Sequence, residues 1–313
     1  MDAPPPEGPP DEIRHVRAVY DRVARHFSST RFSVWPNVAR FLAGMEPGSI
    51  VADVGCGNGK YLGVLRPSYV NLVEDSHDLR ARALGRTAAS MTWRDGSAPP
   101  PAEVLGSDTC LPLVSLAAAR GFEGMVADCA RLPYRSGAFD AAISIAVVHH
   151  LCSQERRREA VAELVRIVRP GGRALVYVWA AEQPDPRTRK KWVPVPGGDP
   201  GDFYVPWHLD RGMGKEAERD AEALYGGEGE KGPWDGAEAD AAGVDPRTGE
   251  TVYRRYYHVF AEGELETLCA QVPSCRVHHV YFDKGNWAAE LVRLQEPTST
   301  PRDTLHATPG GVQ

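Results

Sequence analysis

A glycine-rich turn follows a short hydrophobic segment near residue 50. Residues 51–62 read VADVGCGNGKYL, so Asp53 comes two residues before the first of three glycines, Gly55, Gly57 and Gly59. Glycines at this spacing let the backbone turn tightly and approach a ligand closely. A carboxylate ahead of the turn repels the phosphate that dinucleotide sites place there, but suits the ammonium group of a methionine moiety. The pattern favours S-adenosylmethionine over NAD as the ligand, with a purely structural turn as the alternative.

Acidic residues after later predicted strands could contact the rest of such a cofactor. Ribose recognition uses an acid at the end of the strand that follows the glycine turn. Asp75 is nearer along the chain, but Asp108 precedes a predicted helix and then a strand ending at Asp128, which favours Asp108. Asp128 would contact the adenine amino group or, alternatively, only shape the turn before Pro133. The residues expected to contact the cofactor are Asp53, Gly55, Cys56, Gly57, Gly59, Asp108, Asp128, Cys129 and Ala146.

Hydrophobic periodicity predicts helices alternating with strands around these motifs. The predicted helices span 13–30, 154–168 and 262–272, and the predicted strands span 49–54, 104–108, 122–127, 139–148, 174–179, 276–282 and 287–294. Such alternation predicts a mostly parallel sheet with helices on both faces. The last two strands would close it as an antiparallel hairpin. The expected fold is α/β and Rossmann-like, with a seven-stranded sheet.

The chain is expected to hold a single domain, residues 13–294. Residues 1–12 are rich in proline and acids, and 295–313 lack periodicity, so both ends are expected to be disordered. Two segments interrupt the pattern as irregular insertions. The segment 66–103 ends in SAPPPAE, and 181–250 is rich in glycine, proline and acids.

The net charge of −6 is unevenly distributed. Residues 1–12 and 210–250 carry most of the excess acid, so the remaining chain is net basic and could bind a polyanion. The six cysteines form no C-x-x-C pair, no N-terminal signal pattern is visible, and no apolar run is long enough to span a membrane. We therefore expect a chain of the cytoplasm, with the nucleus as a second compartment, and no metal site.

Several longer segments resemble one known family. They include VYDRVARHFSSTRFSVWP (19–36), LPYRSGAFDAAISIAVVHHL (132–151), RYYHVFAEGELE (255–266) and DKGNW (283–287). The chain resembles the tRNA methyltransferases that esterify 5-carboxymethyluridine at the wobble position, a family that includes the methyltransferase part of the AlkB-like tRNA hydroxylase. The resemblance implies a class I S-adenosylmethionine-dependent methyltransferase fold. Residues 66–103 depart from the family's pattern.

The resemblance implies methyl transfer from a sulfonium to a carboxylate oxygen. A carboxylate is already ionised at neutral pH, so the reaction requires no general base. His149 and His150, at the end of the fourth strand, are expected to hydrogen-bond the acceptor carboxylate, with a structural role as the alternative. Arg31 and Arg255 are candidates for clamping this carboxylate or a phosphate, against the alternative of solvated surface arginines.

Aromatic and polar side chains could complete the acceptor pocket. Trp179, Tyr256 and Trp287 could stack on an unpaired wobble base, although core packing is the alternative. His258 and Asn286 are further candidates, which could instead satisfy backbone groups.

Two partners follow from the resemblance. One is the tRNA anticodon loop. The basic clusters 156–158 and 187–191 could contact the phosphates of the anticodon stem, with a solvated helix face and mere solubility as the alternatives. The other is a small zinc-binding methyltransferase activator subunit, expected to pair with the predicted edge strand 122–127 by strand addition. The alternatives are a small-molecule O-methyltransferase and a non-catalytic scaffold that binds RNA or protein.

Overall fold

A computed structural model of the chain describes residues 9–31, 33–65, 102–210 and 241–295, with the single residues 212, 214, 219 and 224. Its helices are α1 (Pro10–Glu12), α2 (Ala18–Thr30), α3 (Pro36–Ala43), α4 (Leu111–Ala118), α5 (Gln154–Ile167), α6 (Pro186–Arg189) and α7 (Glu264–Ala270). A π-helical turn, Ile13–Arg17, joins α1 to α2, and a 3-10 turn, Val148–His150, follows the fourth strand.

The strands of the described residues form two sheets. They are β1 (Ile50–Val54), β2 (Glu103–Asp108), β3 (Gly124–Val126), β4 (Phe139–Ile145), β5 (Val168–Trp179), β6 (Val193–Pro194), β7 (Asp202–Leu209), β8 (Ala241–Val244), β9 (Thr251–His258), β10 (Cys275–Asp283) and β11 (Asn286–Arg293). The larger sheet has the order β10-β11-β5-β4-β1-β2-β3, in which β11 pairs antiparallel with β10 and β5 and all other pairs are parallel. The predicted seven-stranded sheet with a terminal antiparallel hairpin is confirmed.

The order in which the chain adds strands to this sheet reverses at β1. From β1 it passes to β2 and β3 on one side, and then returns to β4 on the other side. Asp53 on β1 pairs with Gly106 of β2 and with Ile143 of β4, so the carboxyl ends of the three strands lie side by side. Such a reversal opens a crevice at the strand ends, where parallel α/β sheets bind ligands.

Helix α5 fixes the segment that follows β4. The side chain of Ser153 accepts a hydrogen bond of 3.2 Å from the backbone N–H of Arg156, which caps the helix. Val161 and Leu164 are buried in the main hydrophobic core, one helical turn apart. The 3-10 turn before α5 is thereby held at the end of the sheet.

A second, antiparallel sheet is the main departure from the sequence-based expectation. The segment 181–250 is expected to be irregular, yet within it Asp202–Leu209 forms β7 and pairs along its whole length with β9. Val205, Trp207 and Leu209 alternate towards the interior and are buried. Trp207 packs against helix α2, so the second sheet supports the N-terminal helices.

Some boundaries also differ from the expectation. Residues 10–12 of the N-terminus, expected to be disordered, are helical, and Glu12 is buried. The edge strand β3 is shorter than the predicted 122–127. The expected insertion 66–103, with its alternative ribose acid Asp75, lies outside the described residues up to residue 101, as does the tail beyond residue 295. None of the described helices combines the length and the apolar character that a membrane crossing requires.

Candidate active site

A cleft opens where β1, β2 and β4 end, and the N-terminal helices form one of its walls. All four residues expected to contact the acceptor line this cleft: His149, His150, Arg31 and Arg255. Of the nine expected cofactor residues, all line it except Asp53 and Gly59. Of the five residues expected to complete the acceptor pocket, only Trp179 lines it, whereas Tyr256, His258, Asn286 and Trp287 do not.

The glycine turn packs closely against the ends of two neighbouring strands. Gly55 donates its N–H to the carbonyl of Ser107 at 2.7 Å, which ties the turn to β2. Gly55 has a φ of +82°, and a methyl group on it would overlap the side chain of Val147, just after β4. Only glycine fits this position, so the turn presents bare backbone to the cleft.

Asp53 is a buried acid without a partner. Its residue is 1% exposed, and neither carboxylate oxygen has a hydrogen-bond partner among the described residues. Burial raises the pKa of Asp53 to about 7, and the opposing charge of Lys60 limits the rise. The carboxylate does not line the cleft, and its expected contact with an ammonium group stays a prediction. A buried acid that lacks a partner nevertheless fits a cationic ligand bound close by.

Asp108 lies at the end of β2, on the cleft surface. Its Oδ2 accepts the N–H of Gly57 and its Oδ1 accepts the N–H of Cys110, both at 2.9 Å. Burial raises the pKa of Asp108, and these backbone donors oppose the rise. An ionised carboxylate keeps further lone pairs, so Asp108 can still accept a ribose hydroxyl hydrogen bond. That role stays a prediction.

Asp128 has a different set of partners from the one expected. Its Oδ2 accepts from Arg17 at 2.6 Å and from Arg156 at 2.9 Å. Its Oδ1 accepts from the N–H of Ala130 at 2.9 Å and from Arg156 at 3.2 Å. Burial would raise the pKa of Asp128, but these donors outweigh it and hold the pKa below its ordinary value. Through Arg17, Asp128 attaches the π-helical turn Ile13–Arg17 to the cleft. Its expected contact with an adenine amino group stays a prediction.

The protonation of His149 follows from its hydrogen bond. Its Nδ1 accepts the backbone N–H of Trp179 at 3.0 Å, so this nitrogen carries no proton. Burial lowers the pKa of His149 well below 6.5, and the ring is therefore neutral with its proton on Nε2. The ring stacks on Tyr257 at a centroid distance of 4.9 Å and lines the cleft. Ala146, with a φ of +63°, turns the chain from β4 into this position.

Replacing His149 with alanine is expected to lower the rate of methyl transfer by about 10- to 100-fold, because a hydrogen bond to a charged acceptor is lost. The Kd for the methyl donor, measured by calorimetry, should stay within about twofold. Since the ring is neutral at working pH, the wild-type rate should show no ionisation near pH 6.5 that disappears in His149→Ala. A wild-type rate in His149→Ala would remove the residue from the acceptor site.

Both ring nitrogens of His150 form hydrogen bonds within the protein. Its Nδ1 donates to the carbonyl of Tyr256 at 3.0 Å, and its Nε2 accepts the hydroxyl of Tyr20 at 3.0 Å. Burial lowers the pKa of His150 to about 3, so the ring stays neutral. Both ring nitrogens are used in this arrangement, and the ring positions Tyr20. The expected contact of His150 with the acceptor stays a prediction.

Arg255 is a buried cation among aromatic rings. Its residue is 5% exposed, and its guanidinium lies 4.5 Å from the ring centroid of Trp207 and 5.1 Å from that of Tyr257. It donates to the hydroxyl of Tyr257 at 2.8 Å and to that of Tyr20 at 3.4 Å. Its Nε has no hydrogen-bond partner, and no described acid forms a salt bridge with it. A buried charge without a counter-charge is unfavourable unless a ligand supplies one.

Arg31 contacts the same group of aromatic rings as Arg255. Its guanidinium lies 5.6 Å from the ring of Trp207, the indole that also contacts Arg255. The residue is exposed and forms no salt bridge with a described acid. The two arginines therefore give one end of the cleft a positive potential.

The remaining base-binding candidates have structural partners. Trp179 lines the cleft and packs against Tyr257 at 4.5 Å, so it can still contact a ligand. Tyr256 is buried and donates its hydroxyl to Asp202 at 2.6 Å. Asn286 donates to the carbonyls of Asp283 and Lys284, and Trp287 donates its indole N–H to Glu182. None of these three residues lines the cleft, and their expected contacts with the wobble base or the acceptor pocket stay predictions.

His258 links the second sheet to helix α7. Its Nδ1 lies 2.7 Å from Asp202 and its Nε2 lies 2.6 Å from Glu264, so both nitrogens donate to carboxylates. Burial opposes the charge on the ring, but the two carboxylates raise the pKa of His258. The charge of Arg157, also near this group, opposes the rise. The ring binds two acids and does not line the cleft, and its predicted contact with the acceptor stays a prediction.

This ion cluster predicts a dependence of stability on pH. A raised folded-state pKa stabilises the protein fully below the unfolded value of 6.5 and loses that contribution as the pH rises through the folded value. The pKa values of Asp202 and Glu264 are lowered, so their contribution is lost only in acid. The unfolding temperature of wild type should therefore exceed that of His258→Gln most between about pH 5 and 6.5. A difference that stays constant up to pH 9 would contradict this account.

Several residues in or beside the cleft escape the sequence analysis. Tyr20, Trp207 and Tyr257 surround Arg255, and Lys60 lines the cleft beside the glycine turn. The alternation of buried residues along β7 could have singled out Trp207. The contacts of Tyr20 with Arg255 and His150 join residues more than 100 positions apart, which no local pattern reveals.

Comparison with known proteins agrees with this geometry. The family model described as "Methyltransferase domain" matches residues 83–176 and implies S-adenosylmethionine as the cofactor. The "tRNA (carboxymethyluridine(34)-5-O)-methyltransferase" of Schizosaccharomyces pombe is 33% identical over 88% of this chain and 95% of its own length. The protein of the same name from Arabidopsis thaliana is 33% identical over 90% of this chain and 81% of its length.

A longer relative is the "tRNA (carboxymethyluridine(34)-5-O)-methyltransferase alkbh8" of Xenopus tropicalis, which is 36% identical over 90% of this chain. The match covers 41% of that protein, so the chain spans under half the length of this relative. The two shorter relatives are matched over most of their lengths, at identities that show common descent. The chain belongs to the tRNA (carboxymethyluridine(34)-5-O)-methyltransferase family.

Proposed function

We propose that this chain transfers a methyl group to the carboxylate of 5-carboxymethyluridine at the wobble position of tRNA, forming the methyl ester. The observation that carries the proposal is Arg255, a buried cation without an acidic partner that lines the cleft beside the neutral ring of His149. The names of the relatives from Schizosaccharomyces pombe and Arabidopsis thaliana support the same substrate.

The chemistry of the cleft suits an acceptor that is itself an anion. A carboxylate with an ordinary pKa near 4 is ionised at neutral pH, so no residue has to remove a proton. Arg255 supplies the counter-charge, and the Nε2–H of His149 can donate a hydrogen bond to the same group. Both groups strip water from a weak nucleophile and hold it in line with the methyl carbon.

The transfer step removes two charges. Bound S-adenosylmethionine supplies an electrophilic methyl group on a positively charged sulfur. A carboxylate oxygen forms the new C–O bond as the C–S bond breaks, and that electron pair goes to the sulfur. The ester is neutral and leaves Arg255 again without a counter-charge, so the product binds less tightly than the substrate. Release of the product is thereby favoured.

The two basic clusters differ as candidates for RNA contact. In 156–158, Arg156 pairs with Glu12 and Asp128, and Arg157 is buried, so only the side chain of Arg158, 42% exposed, is accessible to a phosphate. The cluster 187–191 is largely exposed, and within it Arg187 pairs with Asp185. We propose that 187–191 contacts the phosphates of the anticodon stem.

The edge strand β3 is the proposed site for a small activator subunit. Met125 and Val126 are 40% and 47% exposed, which is unusual for large apolar side chains on a strand. A partner that adds a strand here would cover both side chains and pair the free edge. Val126→Pro should block strand addition, which co-purification with a zinc-binding activator would measure. Unchanged co-purification would exclude β3.

The test of the proposed function is transfer of label from S-adenosylmethionine to tRNA, with and without the activator. tRNA carrying 5-carboxymethyluridine should accept label, whereas matched tRNA carrying the 5-carbamoylmethyl amide should not, because the amide lacks the negative charge. Equal labelling of both would contradict the proposal. Label found only on small phenols or acids would indicate a small-molecule O-methyltransferase.

A further inference from the structure

Lys60 is a further basic residue of the cleft, besides Arg31 and Arg255. It follows the last glycine of the turn and lines the cleft. Its ammonium lies 4.9 Å from the ring centroid of Trp35 and 4.7 Å from that of Tyr61, so two aromatic faces fix its position. Among the described residues, none forms a hydrogen bond or salt bridge with it. Its surroundings lower the pKa of Lys60 to about 8, chiefly through burial, and Asp53 opposes the fall.

The glycine turn also holds Arg31 close by. The side-chain amide of Asn58, within the turn, donates to the backbone carbonyl of Arg31 at 3.2 Å and to the hydroxyl of Ser28 at 3.1 Å. Arg120 donates to the carbonyl of Asn58 at 2.7 Å and fixes the turn from its other side. The positive charge of Arg31 contributes to lowering the pKa of Lys60, so the two cations share one part of the cleft.

The neighbouring acid decides which anion fits Lys60. Asp53, buried and without a partner, lies close enough to influence the pKa of Lys60. A phosphate or the carboxylate of the acceptor would be repelled by Asp53. A zwitterion, with its own ammonium on the side of Asp53, would satisfy both charges. The amino-acid end of S-adenosylmethionine is such a zwitterion.

We propose that Lys60, assisted by Arg31, binds the α-carboxylate of the methionine portion of the cofactor. Arg31 thereby belongs to the cofactor site, and Arg255 alone clamps the acceptor. Lys60 then makes the protein selective for adenosyl ligands that carry an amino acid. The inference rests on the cofactor of the proposed function but not on its tRNA substrate.

The test compares two ligands that differ in this amino-acid end. S-Adenosylhomocysteine carries it, and 5′-methylthioadenosine lacks it. Calorimetry on the full chain should show that Lys60→Met weakens binding of S-adenosylhomocysteine by about 10- to 100-fold and leaves 5′-methylthioadenosine within about twofold. Lys60→Arg should restore most of the loss. Lys284→Met, at the exposed hairpin between β10 and β11, is the matched control and should change neither Kd.

Every outcome of this experiment either supports or overturns the binding of the α-carboxylate by Lys60. Equal weakening of both ligands, with an unchanged unfolding temperature, would show that Lys60 shapes the cleft without binding the carboxylate. No weakening of either ligand would also overturn the proposal. Arg31→Met should weaken S-adenosylhomocysteine less than Lys60→Met does, and an unchanged Kd would remove Arg31 from the cofactor site. Because no tRNA is present, failure of the proposed esterification would leave these outcomes unaffected.

Discussion

Replacing Arg255 with methionine is expected to lower kcat/KM for tRNA methylation by on the order of 100-fold or more. Removing one partner of a buried charge pair costs about 2–5 kcal/mol, which corresponds to a loss of about 30- to 5000-fold. Arg255 is the buried cation of the aromatic cluster, so the variant should lack this counter-charge in every complex with the acceptor. The Kd for S-adenosylmethionine should stay within about twofold, since the glycine turn is untouched.

The stability of this variant separates a functional role from a structural one. In the free protein, the guanidinium is buried without an acidic partner, so methionine removes an unfavourable charge. The unfolding temperature of Arg255→Met should therefore not fall below that of wild type. The neighbouring Arg254, exposed on the other face of β9, provides the control variant Arg254→Met, which should keep kcat. Wild-type turnover in Arg255→Met would refute the proposed clamp.

Replacing Gly55 with alanine is expected to weaken binding of S-adenosylmethionine by at least about 100-fold. A methyl group at this position would overlap both γ-carbons of Val147, and the φ of +82° adds about 1–2 kcal/mol of backbone strain. The turn must then move away from β4, which distorts the wall of the cleft. Calorimetry with the cofactor measures the loss.

Two further variants isolate the cause of this effect. Gly48→Ala has almost the same φ, +83°, but an added methyl group there meets nothing within 4 Å. It should lower the unfolding temperature slightly and leave the Kd unchanged. The double variant Gly55→Ala with Val147→Ala removes the overlapping carbons and should recover part of the binding. A wild-type Kd for Gly55→Ala would show that the turn does not hold the cofactor.

The sequence is most informative where a local pattern carries the chemistry. The turn from Asp53 to Gly59 needs glycine for steric reasons that act between close neighbours, and the order of strands and helices follows from periodicity. The second sheet is hidden because 181–250 is dominated by glycine, proline and acids. The short alternation of Val205, Trp207 and Leu209 is the only trace of it in that segment's described part.

Roles that depend on long-range partners could not be derived from local spacing. Asp128 has the position of an adenine-binding acid, but Arg17 reaches it from 111 residues away and Arg156 from 28. His258 resembles a pocket residue by type, yet Asp202 and Glu264 occupy both of its nitrogens. In each case, the tertiary structure decides which of several possible partners a polar group binds.

The chemical nature of the product tests the central claim most directly. tRNA carrying 5-carboxymethyluridine is labelled with methyl-labelled S-adenosylmethionine, purified, and treated with mild alkali. A methyl ester is hydrolysed under these conditions, so the label should leave the tRNA as volatile methanol. Label that stays on the nucleoside after this treatment would mean transfer to a nitrogen, a carbon or a hydroxyl oxygen. That result would contradict a cleft built around an anionic acceptor.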